Sequence, residues 1–352
     1  MAKLHFFFFT LLLISTMAPP STGADPAGQP LTTLPEQCQR STHGPCHNKS
    51  GSLNLKLIAI AAILVASMMG VSLPILSRSV PALHPDTNMF VLVKAFASGV
   101  ILATGYMHVL PDSFNCLTSK CLPENPWSKF PFTTFIAMFS AVATLMVDSY
   151  AMSWYKKFKT PNQGNKNPDP ELKMSGHCHA HGSSGIDNAA SQLRRYRVVA
   201  QVLELGIVVH SVVIGLSMGA SDNVCTIRPL VAALCFHQFF EGMGLGGCIL
   251  QANYENKMKA MMVLFFSVTT PFGIALGIGL SNVYQENSPT ALVVVGVLNA
   301  VSAGLLNYMA LVDLLASDFM GERLQDDMKL QTISYVAVVL GAGGMSVMAI
   351  WA

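Results

Sequence analysis

The sequence predicts an all-α membrane protein with eight transmembrane helices and both mature termini outside the cytosol. Hydrophobic residues make up 51% of the 352 positions and charged residues only 11%, where an ordinary soluble domain carries about 25% charge. The apolar residues gather into eight stretches, at roughly 54–77, 88–110, 131–153, 197–221, 229–251, 259–281, 289–312 and 331–351. Each is about 20 residues or longer, enough to cross a ~30 Å hydrocarbon core. An even number of crossings returns the chain to the side on which it started.

That side follows from the first element. Lys3, then Phe6 to Phe9 and Thr10-Leu11-Leu12-Leu13-Ile14, give a basic start and an apolar run too short to span. Small residues and prolines follow to about Ala24, so residues 1–24 read as a cleaved secretory signal. Residues 25–53 form a polar extracytosolic segment. Within it, Cys38 and Cys46 are expected to close a small disulfide loop in an oxidising compartment, and Asn48-Lys49-Ser50 is a glycosylation sequon.

Positive charge agrees with this orientation. The connections assigned to the cytosol hold Arg78, Lys156, Lys157, Lys159, Lys166, Lys173, Arg194, Arg195, Lys257, Lys259, Arg323 and Lys329, with Arg197 at a helix edge. The outer segments hold Arg40, Lys49, Lys56, Lys120, Lys129 and Arg228. Helices 1–3 occupy 54–153, a cytosolic loop 154–196, and helices 4–8 the remainder, 197–352. The loop carries Thr160 to Pro170, a polar run unable to build an apolar core. His177, Cys178, His179 and His181 follow, a tract suited to weak, fast-exchanging metal contact.

The membrane segments carry the chemistry. An ionisable residue at membrane depth is costly and points to function. His210 lies in the fourth span, and His237 and Glu241 in the fifth, four apart and so on one helix face. Imidazole and carboxylate suit a divalent transition metal. His108 and Asp112, also four apart, end the second span as a cation-attracting mouth, and Asp148 near the inner end of the third could pass a cation to the cytosol. Glu204, six residues from His210, faces elsewhere and is expected to serve packing or gating. Gly215 and Gly219 at GxxxG spacing, with Gly242, Gly244, Gly246 and Gly247, allow close helix approach and are compatible with a homodimer. Asn299, Ser302, Asn307 and Asp313 punctuate the seventh span.

Several classes are excluded. A net charge of +2 offers no nucleic-acid footprint. The eight cysteines form no CxxC pair. Neither GxxxxGK[ST] nor HExxH is present, which argues against an ATP-driven pump and a metalloenzyme. The chain is therefore read as a non-enzyme, without a cofactor, whose partners are divalent metal ions and the lipid bilayer.

The run from His210 to Gly219 and that from His237 to Gly247 closely resemble the signature of the ZIP (Zrt/Irt-like) metal transporters in their plant form. The match extends to Ser98 to Gly105, to His108-Val109-Leu110-Pro111-Asp112, to the histidine-containing loop and to the eight-span layout. The resemblance implies a carrier that moves zinc, or ferrous iron, into the cytosol. It implies His210, His237, Gln238 and Glu241 as ligands of a central site, with Ser211 nearby, and roles for Asp112 and Asp148 along the path. Some members hold two metals with three further carboxylates. This sequence has Ile214, Gln238 and Thr270 at those positions, which leaves one ion as the expectation. A membrane metal sensor without transport is the alternative. The plasma membrane is the expected location, with an internal membrane such as the vacuolar one as the alternative.

Overall fold

In a membrane every backbone polar group must be satisfied within the protein, which an apolar chain achieves by forming helices. The computed structural model describes residues 46–76, 87–158, 184–281 and 288–350. Among these residues the long helices are α1 (Lys49–Leu76), α2 (Asn88–Leu117), α3 (Phe132–Phe158), α4 (Ser184–Ala220), α5 (Val224–Gln251), α6 (Asn256–Leu280), α7 (Pro289–Phe319) and α8 (Met328–Met348). Short helices at Glu124–Trp127 and Glu322–Gln325 punctuate connections, and no strand forms among the described residues. The molecule is an all-α membrane protein.

Seven of these helices are long and apolar enough to cross a membrane. The exception is α5, which has 28 residues but carries Arg228, His237, Gln238 and Glu241. The residues that mark the candidate site are the ones that lower its apolarity. Caps fix the helix starts. Asn223 accepts hydrogen bonds from the Cys225 and Thr226 amides, and Asp327 from those of Lys329 and Leu330, satisfying donors that the first turn leaves orphaned. Asn48 of the sequon accepts from the Gly51 amide at 2.9 Å and so caps α1.

The helices form two groups. One joins α1 to α5 and α6, and α4 to α5 and α6. The other joins α2 to α8 and α7, and α3 to α7. Within the first group, Gly215 and Gly219 of α4 face Gly273 and Gly277 of α6. A Cβ on Gly215 would stand 2.8 Å from the Thr270 carbonyl oxygen, so only glycine permits this approach. The most enclosed span is α4, 78% buried, against 22% for α3 and α8. Met138, Phe139 and Val142 on α3, and Val339 and Leu340 on α8, are accordingly exposed, as lipid-facing residues are.

Three expectations change. Cys46 is bonded not to Cys38 but to Cys225 at the head of α5, 179 residues away, with Cα atoms 5.4 Å apart. The cause is local backbone pairing. The Val224 amide donates to the Cys46 carbonyl at 2.9 Å and that of Asn48 to Asp222 at 3.4 Å, which lays the N-terminal segment on the α4–α5 turn. Cys121 is also disulfide-bonded. Secondly, α4 starts at Ser184, inside the stretch expected to be loop, because Ala189, Ala190, Gln192, Leu193 and Arg194 favour helix. Thirdly, α2 runs on to Leu117, beyond the expected end at 110. The signal segment, Cys38, and the tract of His177, Cys178, His179 and His181 lie outside the described residues.

Candidate metal site and cation path

Two helices supply the histidines that the sequence singled out, and a third completes the arrangement. His210 on α4 and His237 on α5 have ring centroids 5.8 Å apart. His108 on α2 joins both, at 6.1 Å from His210 and 5.9 Å from His237. The three imidazoles form a nearly equilateral triangle. His237 is 0%, His210 1% and His108 6% exposed. Both ring nitrogens of His210 and of His237, and Nε2 of His108, lack a hydrogen-bond partner.

Apart from the approach of the His237 ring to the Ala233 carbonyl, these buried imidazole nitrogens are unsatisfied, which requires an explanation, since buried polar atoms are nearly always paired. Three imidazoles on one zinc at ~2.1 Å per bond would set their centroids about 5 Å apart. The observed triangle is wider than that, and among the described residues no group of three or more His, Cys, Asp or Glu side chains is drawn together closely enough to hold a metal ion.

The remaining predicted ligands are buried as well. Glu241 is fully buried and neither carboxylate oxygen has a partner. Ser211 Oγ and Gln238 Nε2, each on a side chain 1% exposed, are likewise unpaired. Ser267 Oγ and Thr270 Oγ1 of α6 add two more unsatisfied hydroxyls, both fully buried. Ile214, one turn beyond His210, instead packs with Ala59, Ile63, Met218, Leu234 and Ile274.

His108 and Asp112 do lie together, with Nδ1 and Oδ2 3.8 Å apart, and the Asp112 side chain is 45% exposed. His108 therefore links the exposed carboxylate to the buried triangle. Sequence spacing did not reveal the second of these contacts, because spacing along one helix does not say which neighbouring helices a side chain meets; His108 itself sits in a π-helical turn, Thr104–Val109. An inserted residue of this kind rotates the following face by about 100° relative to a continuous α-helix. A second π turn, Met309–Ala316 on α7, holds Asp313. Asp313 is buried with Oδ1 unpaired, and it is an electrostatic neighbour of Asp148 and Arg195. The Tyr308 hydroxyl donates to Asp148 Oδ2 at 3.4 Å. Asp148 thus meets α7 at the end of the bundle opposite the disulfide. Glu204 is buried in α4.

Another buried polar cluster lies outside the predicted set. Lys94 of α2 bonds Asp318 of α7 at 2.8 Å and Gln251 of α5 at 3.2 Å. It opens on a cavity of about 210 Å³ also lined by Tyr196, Ser317 and Arg323.

Comparison with known proteins gives a consistent result. The profile of the ZIP Zinc transporter family matches residues 53–349. The chain is 60% identical over 331 residues to Fe(2+) transport protein 1 of Oryza sativa subsp. japonica, covering 89% of this chain and 88% of that protein. It is 55% identical over 345 residues to Probable zinc transporter 8 of Arabidopsis thaliana, covering 98% and 97%. It is 58% identical over 320 residues to Zinc transporter 7 of Arabidopsis thaliana, covering 87% and 88%.

Proposed function

The chain belongs to the ZIP zinc transporter family, whose members are transporters and not enzymes, and from that premise we propose that it carries a divalent transition metal into the cytosol through a His/Glu site between α4 and α5. Zinc is the first expected cargo and ferrous iron the alternative, since relatives of similar identity are named for one or the other. The observation that carries this reading is the triangle of buried imidazoles with unsatisfied nitrogens.

The ion is attracted by the exposed Asp112 and taken up by His108, His210 and His237. Glu241 supplies the neutralising charge, and Gln238 and Ser211 offer neutral contacts. It leaves past Asp148 and Asp313 toward His177, Cys178, His179 and His181. A site that exchanges its cargo must bind less firmly than a closed four-ligand cage. A potential of 100 mV, negative inside, favours inward movement of a divalent ion by about 4.6 kcal/mol, at ~2.3 kcal/mol per charge. The plasma membrane is the proposed location.

The test is radioactive zinc uptake by metal-starved yeast expressing wild type or Glu241→Ala, with competing iron, manganese and cadmium and with surface protein quantified. Uptake should fall by about tenfold or more in the variant, since loss of even an outer-sphere partner costs ~10–100-fold at metal sites. Full uptake by the variant would remove Glu241 from the site. A wild type at the surface that moves no metal would favour a sensor.

A further inference from the structure

Polar atoms run down α7 on both sides of the histidine triangle, and no partner accounts for them. Ser302, Asn307 and Asp313 are 0%, 9% and 4% exposed, and Ser302 Oγ, Asn307 Oδ1 and Asp313 Oδ1 have no hydrogen-bond partner. Successive members are separated along the axis by about 7.5 and 9 Å, at ~1.5 Å per residue. One buried orphan could be accidental. Three on one helix in a membrane, where water cannot reach the backbone side, are costly to keep without use.

Contacts with α2 fix where they stand. The two helices run antiparallel. Gly296 of α7 lies against Leu117, and Asn307 Oδ1 lies against Gly105, where a Cβ would overlap it. This register sets His108 level with the turn of α7 between Ser302 and Asn307. Gly105 and His108 belong to the same π turn. Asn307 therefore sits just beyond the triangle on the side away from the disulfide, and the next residue, Tyr308, already reaches Asp148.

We propose that Asn307 is a relay ligand, whose amide oxygen receives the divalent cation with part of its water as it leaves the three histidines and before Asp148 and Asp313 take it. The inference rests on the transport reading above. An amide oxygen is a hard, neutral ligand. It lowers the cost of a bare step between imidazoles and carboxylates, yet binds weakly enough to release. A carboxylate there would hold the ion, and an apolar side chain would leave a gap in the path.

The experiment compares zinc uptake by wild type, Asn307→Leu and Asn307→Asp at matched surface level. Asn307→Leu is expected to lower maximal uptake about tenfold, a loss of the size seen for outer metal partners, with little change in the half-saturating zinc concentration. Asn307→Asp is expected to lower both the maximal rate and the half-saturating concentration. Wild-type kinetics in Asn307→Leu would overturn the relay. Asn307→Cys in inside-out vesicles separates ligation from packing. Zinc should slow modification of the introduced thiol, identified by mass spectrometry, and a rate unaffected by zinc would overturn the proposal even if uptake fell. A correctly placed wild type without uptake would overturn the transport reading itself.

Discussion

Gln238 and Thr270 occupy positions at which some members of the family carry carboxylates, and both are buried with unsatisfied atoms beside the candidate site. The difference is decisive electrostatically. Two divalent ions about 4 Å apart repel by roughly 17 kcal/mol at an effective dielectric near 20. Glu241 at a similar distance from both ions would only about balance that, leaving nothing against the cost of dehydrating them, whereas two added carboxylates would leave a surplus. The third position, Ile214, is closed to such a change because it packs in an apolar cluster with Ile63 and Leu234. The wild type should therefore bind about one zinc per chain at its centre, and Gln238→Asp with Thr270→Glu about two, at the cost of slower uptake. Elemental analysis of desalted, purified protein decides this. A count unchanged by the double substitution would reject the charge argument.

At the scale of the element, the helices explain what the sequence could and could not reveal. The long helices are legible because apolar runs of membrane length have one stable backbone solution. That His237 and Glu241 share one helix face is legible because α5 is regular through that stretch. The contacts of His108 with His210 and His237 are not, since spacing along α2 does not say which neighbouring helices His108 meets. Asp313 is legible as a polar residue of the seventh span, but its approach to Asp148 is not, since spacing along α7 does not say which neighbouring helix it meets. The partner of Cys46 was hidden by distance, because nothing near it in sequence encodes the α4–α5 turn that meets it. Lys94 lies inside the second predicted span and is not among the residues that the sequence reading singles out. It joins α2 to α7 and α5, so Lys94→Met should weaken the association of the two helix groups at that end. Loss of one partner of a fully buried pair costs ~3–5 kcal/mol, and here about 2–3 is expected because Asp318 keeps 25% of its side chain exposed. A lowered Tm in detergent, partly restored by adding Asp318→Leu, would be the signature. An unchanged Tm would mean that the pair contributes nothing net.

The whole molecule has a polarity that its covalent and ionic ties define. One end carries the Cys46–Cys225 disulfide, the His47–Asn223 bridge and the Lys56–Asp222 pair at 3.5 Å. The opposite end carries Lys94 with Asp318, and Asp148 with Tyr308. Disulfides persist in oxidising compartments, so the first end should face outside, and the path then runs from Asp112 past the histidines to Asp148 in the inward direction. The heads of α1 and α5 share that outer end, and α8 runs antiparallel to α7, which starts there with Ser288. If α5 crosses with the seven more apolar helices, Met348 returns to the outer side. An epitope placed after Ala352 should then be stained in intact cells by an impermeant antibody. One inserted between Phe158 and Ser184 should be stained only after permeabilisation. Staining of both tags in intact cells, or of neither, would mean that α5 does not cross, and the histidine triangle would then lack the membrane-spanning helix that is proposed to bring His237 and Glu241 to it.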